Sequence, residues 1–247
     1  MANDNWLVDH KSVVYNNSVC VHTMITLLHE PYLELLHQAT LAVTPTGAKV
    51  ALDLGCGDSA KTCWLYERCA DNALIIGIDR NAAVLRKRPG LALIAADAAD
   101  LPLRDECVDL IWCIAALPLF TDRQRALREM LRVLRGGGRL VLATVGEYWV
   151  RLRVHADELV AILPSTPLPL PPADGLGEEW SLLLSGVGWQ PLQIQAYLLT
   201  GCEPAQATLI DSDTLTTYLG CSPMSCVVDE PQSRHVLLVI SACKPYA

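Results

Sequence analysis

The chain has 247 residues, of which 51% are hydrophobic and 19% charged, and its formal net charge is −8 with a pI near 5.2. That length and apolar content suffice for a full core without disulfide or metal staples, and the acidic balance argues against a nucleic-acid phosphate backbone as partner. The opening MANDNWLVDHKS has no basic segment followed by an apolar run, and no apolar stretch approaches the roughly 18 residues of a membrane span. The expectation is a cytoplasmic protein without a membrane span.

In chain order, residues 1–45 read as a helical N-terminal cap. Within it, residues 18–43 divide into two helical pieces, with Pro31 suited to the first turn of the second and Leu28, Tyr32, Leu35, Leu36 and Ala39 sharing one face. From Val50 to Val145 an apolar run, a turn and an amphipathic stretch alternate. The runs KVALDLG, ALIIGID, LALIAAD, VDLIWCIAAL and RLVLATV have the near-continuous apolar character of strands buried on both faces of a parallel sheet, with crossover helices expected between them. The clearest helix spans Asp122 to Arg135, where Leu127, Met130, Leu131 and Leu134 form a stripe. Thr121 and Gln124 fit a capping box, and Gly136 to Gly138 end the helix.

Downstream, PSTPLPLPPADGLG (Pro164 to Gly177) excludes a helix or a central strand, because its prolines lack amide donors and restrict their neighbours, so it reads as a loop suited to a lid. PLQIQAYLL and HVLLVISAC read as two further strands. The domain layout is therefore a cap over residues 1–45 and an α/β domain over 46–247, interrupted by insertions at about 146–178 and 200–234. No internal repeat is evident.

Ten cysteines are scattered along the chain, with Cys56, Cys63, Cys69, Cys107 and Cys113 in stretches that read as core. Free buried thiols account for them better than disulfides or zinc, since Cys63 with Cys69 and Cys221 with Cys226 lack the C-x-x-C spacing of a metal site. No resident metal is expected.

The stretch VALDLGCGDSAKTCWL raises the question of ligand. Gly55, Gly57 and Ala60 satisfy the loose G-x-G-x-x-G/A pattern of nucleotide-binding turns, in which glycine lets the backbone approach a ligand. Asp53, two positions before the first glycine, would repel a pyrophosphate and favours a ligand carrying positive charge.

LDLGCG, then GIDR, then AADAADLPL, then VDLIWCIAAL, then LREMLRVLRGGGRLVL occur in an order that resembles the class I S-adenosylmethionine-dependent methyltransferases. The group most resembled is the broad one that contains quinone-biosynthesis and other small-molecule enzymes. The resemblance covers about residues 48–145 well and the cap and insertions hardly at all. It implies a Rossmann-like, doubly wound, seven-stranded and mostly parallel sheet. It implies too that S-adenosylmethionine is the cofactor and S-adenosylhomocysteine the product.

Residue by residue, the resemblance assigns Asp53 to the methionine-side amino group, with Gly55, Cys56 and Gly57 as the approaching backbone. Asp79, followed by Arg80, takes the ribose hydroxyls. Asp97 takes the adenine amino group with Ala98 against the ring, and Cys113 contributes a backbone carbonyl. Three acidic strand ends in one order favour a ligand site over isolated turn residues.

Methyl transfer from a sulfonium is an in-line displacement in which positioning supplies much of the catalysis, so a base is needed only for an acceptor such as a hydroxyl or an acidic carbon. The candidates by segment are His10, Tyr15, His22, His29, His37, Glu147, Tyr148 and His155, with Tyr15 and His22 preferred as catalytic residues. CIAALPLF lacks the Asn/Asp-Pro-Pro-Tyr signature of base-modifying enzymes, which favours a small, partly apolar acceptor. Two alternatives stand beside this reading: a non-catalytic S-adenosylmethionine-binding protein, and a nicotinamide-dependent oxidoreductase, which leaves Asp53 and Asp97 unexplained.

Overall fold

A computed structural model describes residues 6–9, 30–152, 168–170, 177–198 and 232–246. The chain divides into two compact units, one of residues 37–144, 177–194 and 239–247, the other of residues 1–36, 145–176 and 195–238.

The first unit is built on strands β2 (Ala48–Leu54), β3 (Cys69–Asp79), β4 (Leu91–Ala95), β5 (Val108–Ile114) and β6 (Leu134–Leu152, entering the unit up to residue 144). Parts of β8 (Gln190–Leu198) and β9 (Gln232–Cys243) complete a seven-strand sheet in the order β4-β3-β2-β5-β6-β9-β8. The pairs β2–β3, β2–β5, β3–β4 and β5–β6 are all parallel. The mixed α/β architecture and mostly parallel sheet are those expected. Ala51, Leu52, Ile75, Ile78, Leu110, Ile111, Leu140 and Val141 are fully or almost fully buried, as strands covered on both faces require. The strand order reverses direction at β2, placing the loops after β2 and β5 side by side; open α/β sheets bind ligands at that position.

The connections are less helical than expected. After β2 the chain forms a 3-10 helix, Lys61–Glu67, and after β5 a second short one, Leu117–Leu119; residues 80–90 between β3 and β4 form turns only. Arg86, Lys87, Arg88, Pro89 and Gly90 explain the last case, because that run offers no apolar stripe to bury and ends in two helix breakers. Helix α1 (Glu30–Val43) and helix α2 (Arg123–Val133) are present. Within the stretch expected as a helical cap, Trp6–Asp9 is a strand, β1, which pairs antiparallel with the distal part of β6 in the second unit.

Helix α2 buries Ala126, Leu127, Met130 and Val133 and exposes Arg125 and Arg128, but its cap differs from the expected box. Asp122 is the N-cap, its carboxylate accepting from the Arg125 amide at 2.9 Å, while Thr121 lies outside the helix and accepts from Arg80. A carboxylate is at least as good a cap as a hydroxyl and adds charge favourable to the helix N-terminus.

Two further corrections concern the later segments. In the proline-rich loop, Leu168–Leu170 forms a short strand, β7, antiparallel to residues 196–198 of β8. β7 ends the strand order, and an edge tolerates a proline without an amide donor. EEWSLLLSGV, not anticipated as helical, is helix α3 (Glu178–Val187), bracketed by Gly177 and Gly188 in left-handed conformation. Trp189, just beyond it, donates its indole N–H to the Leu127 carbonyl at 3.2 Å and ties this segment to α2.

Candidate functional site

At the C-terminal ends of β2, β3, β4 and β5 lies a cavity of about 270 Å³. Its floor is the glycine loop after β2, with Gly55 and Gly57. One wall carries Asp79 and Arg80 from the end of β3 and Asp97 and Ala98 from the loop after β4. The opposite wall carries Ala115, Ala116, Leu119 and Phe120 from the turn after β5. Sequence reasoning named six of these residues, Gly55, Gly57, Asp79, Arg80, Asp97 and Ala98. The cavity brings all six together.

The glycine loop is shaped by close approach rather than by flexibility. Gly55 has φ +78, and its amide and that of Cys56 both donate to the Ile78 carbonyl, at 2.7 and 3.1 Å. A Cβ on Gly55 would stand 2.3 Å from the Ala116 methyl, so only glycine lets the loops after β2 and β5 meet. Gly57, at φ +56, has nothing within 4 Å of the same added atom.

Asp79 is half-buried and holds this loop. Its Oδ2 accepts from the Gly57 amide at 3.0 Å and its Oδ1 from the Asn81 amide at 2.9 Å. An ionised carboxylate offers about four acceptor positions, which leaves Asp79 capacity for hydroxyl donors from a ligand. Asp97 is exposed, accepts from the Ala99 amide at 2.8 Å in a local turn, and precedes the buried Ala98. The Arg80 guanidinium donates to Thr121 Oγ1 at 3.3 Å, linking the loops after β3 and β5.

Asp53, Cys56 and Cys113 are not among the residues lining the cavity. Asp53 is 3% exposed and accepts from Thr62 Oγ1 at 2.6 Å. Burial pushes its carboxyl up to about 6, against the lowering effects of the Thr62 hydroxyl and Lys61. Cys113 lies inside β5, paired with Leu142, and is fully buried; burial raises its thiol, as it raises that of Cys56 to about 12. Neither thiol supplies a thiolate near neutrality. Of the cysteines expected in the core, only Cys56 and Cys113 are buried, whereas Cys63, Cys69 and Cys107 are half-buried and free.

Tyr15 and His22, along with His10, His29 and His155, lie outside the described residues. Glu147 and Tyr148 fall on β6 in the second unit. His37 is placed and is not a base for this cavity. Its Nε2 is 2.7 Å from Glu67 Oε1 and its ring packs 4.5 Å from Trp64, contacts that fix α1 against the 3-10 helix Lys61–Glu67.

What sequence reasoning did not assign is the wall after β5. Ala115 adopts φ +59, its amide donates to the Ala143 carbonyl at 2.8 Å, and the chain then turns through Leu117–Leu119 so that Leu119 and Phe120 face the cavity. The signal was CIAALPLF itself, where small residues meet the glycine loop and a proline starts a tight turn.

The half-buried Asp79, the Asp97–Ala98 pair and the close-approach glycine floor thus line one cavity at the strand ends. Residues 52–142 match the family model described as Methyltransferase domain. Methyltransferase GfsG of Streptomyces halstedii is 38% identical over 107 residues, 40% of this chain and 38% of that protein. A malonyl-acyl-carrier-protein O-methyltransferase of Methylococcus capsulatus is 39% identical over 103 residues, 39% of this chain and 37% of that protein. The phthiotriol/phenolphthiotriol dimycocerosates methyltransferase of Mycobacterium tuberculosis is 33% identical over 109 residues, 42% and 40% of the two chains. The chain spans about two-fifths of the length of these curated relatives. Two solved structures share the fold: the YcgJ protein of Bacillus subtilis (TM-score 0.51, 17% identity, 86% of this chain and 98% of that one) and the cyclase SpnF (TM-score 0.54, 20% identity, 86% and 81%). By sequence match and by strand order, residues 52–142 are a methyltransferase domain of the class I S-adenosylmethionine-dependent family.

Proposed function

We propose that the protein transfers a methyl group from S-adenosylmethionine to a small, partly apolar acceptor. One observation carries the reading: a single cavity at the reversal of the sheet combines the carboxylates of Asp79 and Asp97 on one wall with the apolar Leu119–Phe120 wall opposite. Fold alone would not suffice, since the same fold is found in a protein named as a cyclase.

When bound, S-adenosylmethionine supplies an electrophilic methyl group on a sulfonium. Asp79 has acceptor capacity for the ribose, and its bond to Gly57 keeps the loop floor fixed against it. Ala98 and Asp97 are proposed to take the adenine. Asp53 stands behind the glycine loop, buried on Thr62, where its ionised form would favour positive charge on the cavity side. These residues fix the donor, so an acceptor held in line with the methyl carbon reacts largely through positioning. For a hydroxyl acceptor a base is required, and Tyr15 and His22 are proposed for it.

The acceptor class draws support from the relatives. Their names specify an acyl-carrier-bound malonyl group and phthiotriol dimycocerosates, both carrying acyl character compatible with an apolar wall. Cap and insertions, residues 1–45, 146–178 and 200–234, are proposed to select it, because loops on a rigid sheet commonly carry specificity.

Calorimetry with S-adenosylmethionine, S-adenosylhomocysteine and nicotinamide dinucleotides tests the reading, followed by transfer of a labelled methyl group to acyl and hydroxylated acceptors. Binding of the two sulfur compounds without the dinucleotides, together with label in an acceptor, is expected. Dinucleotide binding with no response to S-adenosylmethionine would overturn it. Binding without transfer to any acceptor would favour the non-catalytic alternative.

A further inference from the structure

Phe120 is the only phenylalanine in the chain, and it lies in the wall of this cavity. Its place is fixed by the turn before it: the Phe120 amide donates to the Leu117 carbonyl at 3.1 Å, and Arg123 donates to the Pro118 carbonyl at 2.9 Å. The ring is half-buried and stands directly beside the glycine floor. A methyl group added to Gly55 would lie 3.5 and 3.6 Å from its Cε1 and Cζ atoms. Around it are Leu119, Ala115 and Ala116, none of which carries charge, while the next residue, Thr121, accepts from the Arg80 guanidinium at 3.3 Å. Both carboxylates that line the cavity, Asp79 and Asp97, belong to the other wall, and Asp53 is buried out of the lining.

Among the described residues, the electron-rich side chain of this wall is the aromatic ring of Phe120. Such a ring attracts a cation within about 6 Å of its centroid more strongly than it attracts a neutral thioether, which keeps only a sulfur–aromatic contact. On the methyltransferase reading, on which this inference rests, the cofactor arrives as a sulfonium and leaves as a thioether of almost the same shape. We propose that Phe120 discriminates between them, favouring the charged donor over its neutral product through the aromatic ring it places beside Gly55. The wall would thereby contribute to donor capture and to product release at one position.

The test compares Phe120→Leu, which keeps an apolar side chain and removes the ring, with Phe120→Tyr, which keeps the ring. Dissociation constants for S-adenosylmethionine and S-adenosylhomocysteine are measured by calorimetry on the full chain. Phe120→Leu is expected to weaken S-adenosylmethionine roughly threefold to thirtyfold, the range of a cation–π contact from exposed to desolvated, and S-adenosylhomocysteine less than about twofold. Phe120→Tyr should restore the wild-type ratio of the two affinities. Equal weakening of both ligands, or no change in either, would make Phe120 an apolar packing residue and overturn the proposal, and so would a Phe120→Tyr ratio that follows Phe120→Leu. Failure of the wild-type protein to bind either compound would instead remove the methyltransferase reading itself.

Discussion

Asp79 Oδ2 accepts a hydrogen bond from the Gly57 amide at 3.0 Å, so the acidic end of β3 braces the glycine loop after β2 as well as facing the cavity. The two roles separate under mutation. Asp79→Asn retains a carbonyl oxygen for Gly57 and loses the charge, whereas Asp79→Ala loses both. A charge-assisted hydrogen bond contributes about 1.5–3 kcal/mol, so Asp79→Ala should weaken S-adenosylhomocysteine binding roughly tenfold to a hundredfold, with Asp79→Asn in between. Calorimetry on both variants checks this, with circular dichroism confirming the fold; equal affinities for wild type and Asp79→Ala would misplace the ribose site.

The two loop glycines should respond differently to the same substitution. Gly55→Ala drives a methyl group to 2.3 Å from Ala116 and also strains a backbone at φ +78, so a loss of about 3 kcal/mol or more is expected. Gly57→Ala meets no atom within 4 Å and carries only the cost of a left-handed backbone, about 1–2 kcal/mol. Urea unfolding midpoints of the two variants measure the difference. Equal losses would mean that the loops after β2 and β5 separate easily.

The parts of this site legible in sequence were those set by short-range order. Gly55, Asp79 and Asp97 each sit within three residues of an apolar strand end, where burial on both faces gives a strong pattern and the sheet fixes where the strand ends point. Phe120 and Ala115 escaped assignment because their place depends on the approach of the Ala116 methyl to Gly55, a contact between residues 61 positions apart that no local periodicity records. Asp53 shows the reverse. Its position before the glycines suggested a ligand contact, but in a strand buried on both faces its side chain points into the protein and finds Thr62. The helix Glu178–Val187 was hidden by composition, since Leu182, Leu183 and Leu184 form an apolar run rather than a stripe, and only the flanking Gly177 and Gly188 mark its ends.

Arg132 on α2 should control the order of the loop that carries Asp97 and Ala98. It donates to the Leu103 carbonyl at 2.8 Å and the Leu101 carbonyl at 3.0 Å, and pairs with Glu129 and Asp105, both at 2.7 Å. Glu129 in turn accepts from the Leu101 amide at 2.8 Å, and its pairing with Arg132 holds its carboxyl below the usual range. Arg132→Ala removes the contacts to all four partners and should cost about 2 kcal/mol. Hydrogen exchange should then accelerate at residues 97–103 while the amides of β2 stay protected. Unchanged protection over 97–103 would mean that the loop is held by Leu101 burial alone.

Asp53 predicts the pH dependence of stability. Its carboxyl is pushed by burial from 3.8 up to about 6, so the folded state holds a proton that the unfolded chain has already released. Below pH 4 both states are protonated and the contribution is fully present. As pH rises from about 4 through 6, the unfolded state ionises freely while the folded state must ionise a buried group, and stability falls by about 3 kcal/mol before levelling off. Asp53→Asn keeps a polar partner for Thr62 and cannot ionise, so its own stability should be flatter across that window. The difference between the two proteins, followed by urea midpoints from pH 4 to pH 7.5, should widen in favour of the Asn variant by about 3 kcal/mol. Other carboxylates contribute slopes of the opposite sign, notably Asp109. Burial opposes its ionisation, but the Val50 and Lys49 amides and the Arg135 guanidinium together hold its carboxyl below the usual range. Because those contributions are common to both proteins, they cancel in the difference. A constant difference across the whole range would show that Asp53 ionises in the folded protein as readily as in water.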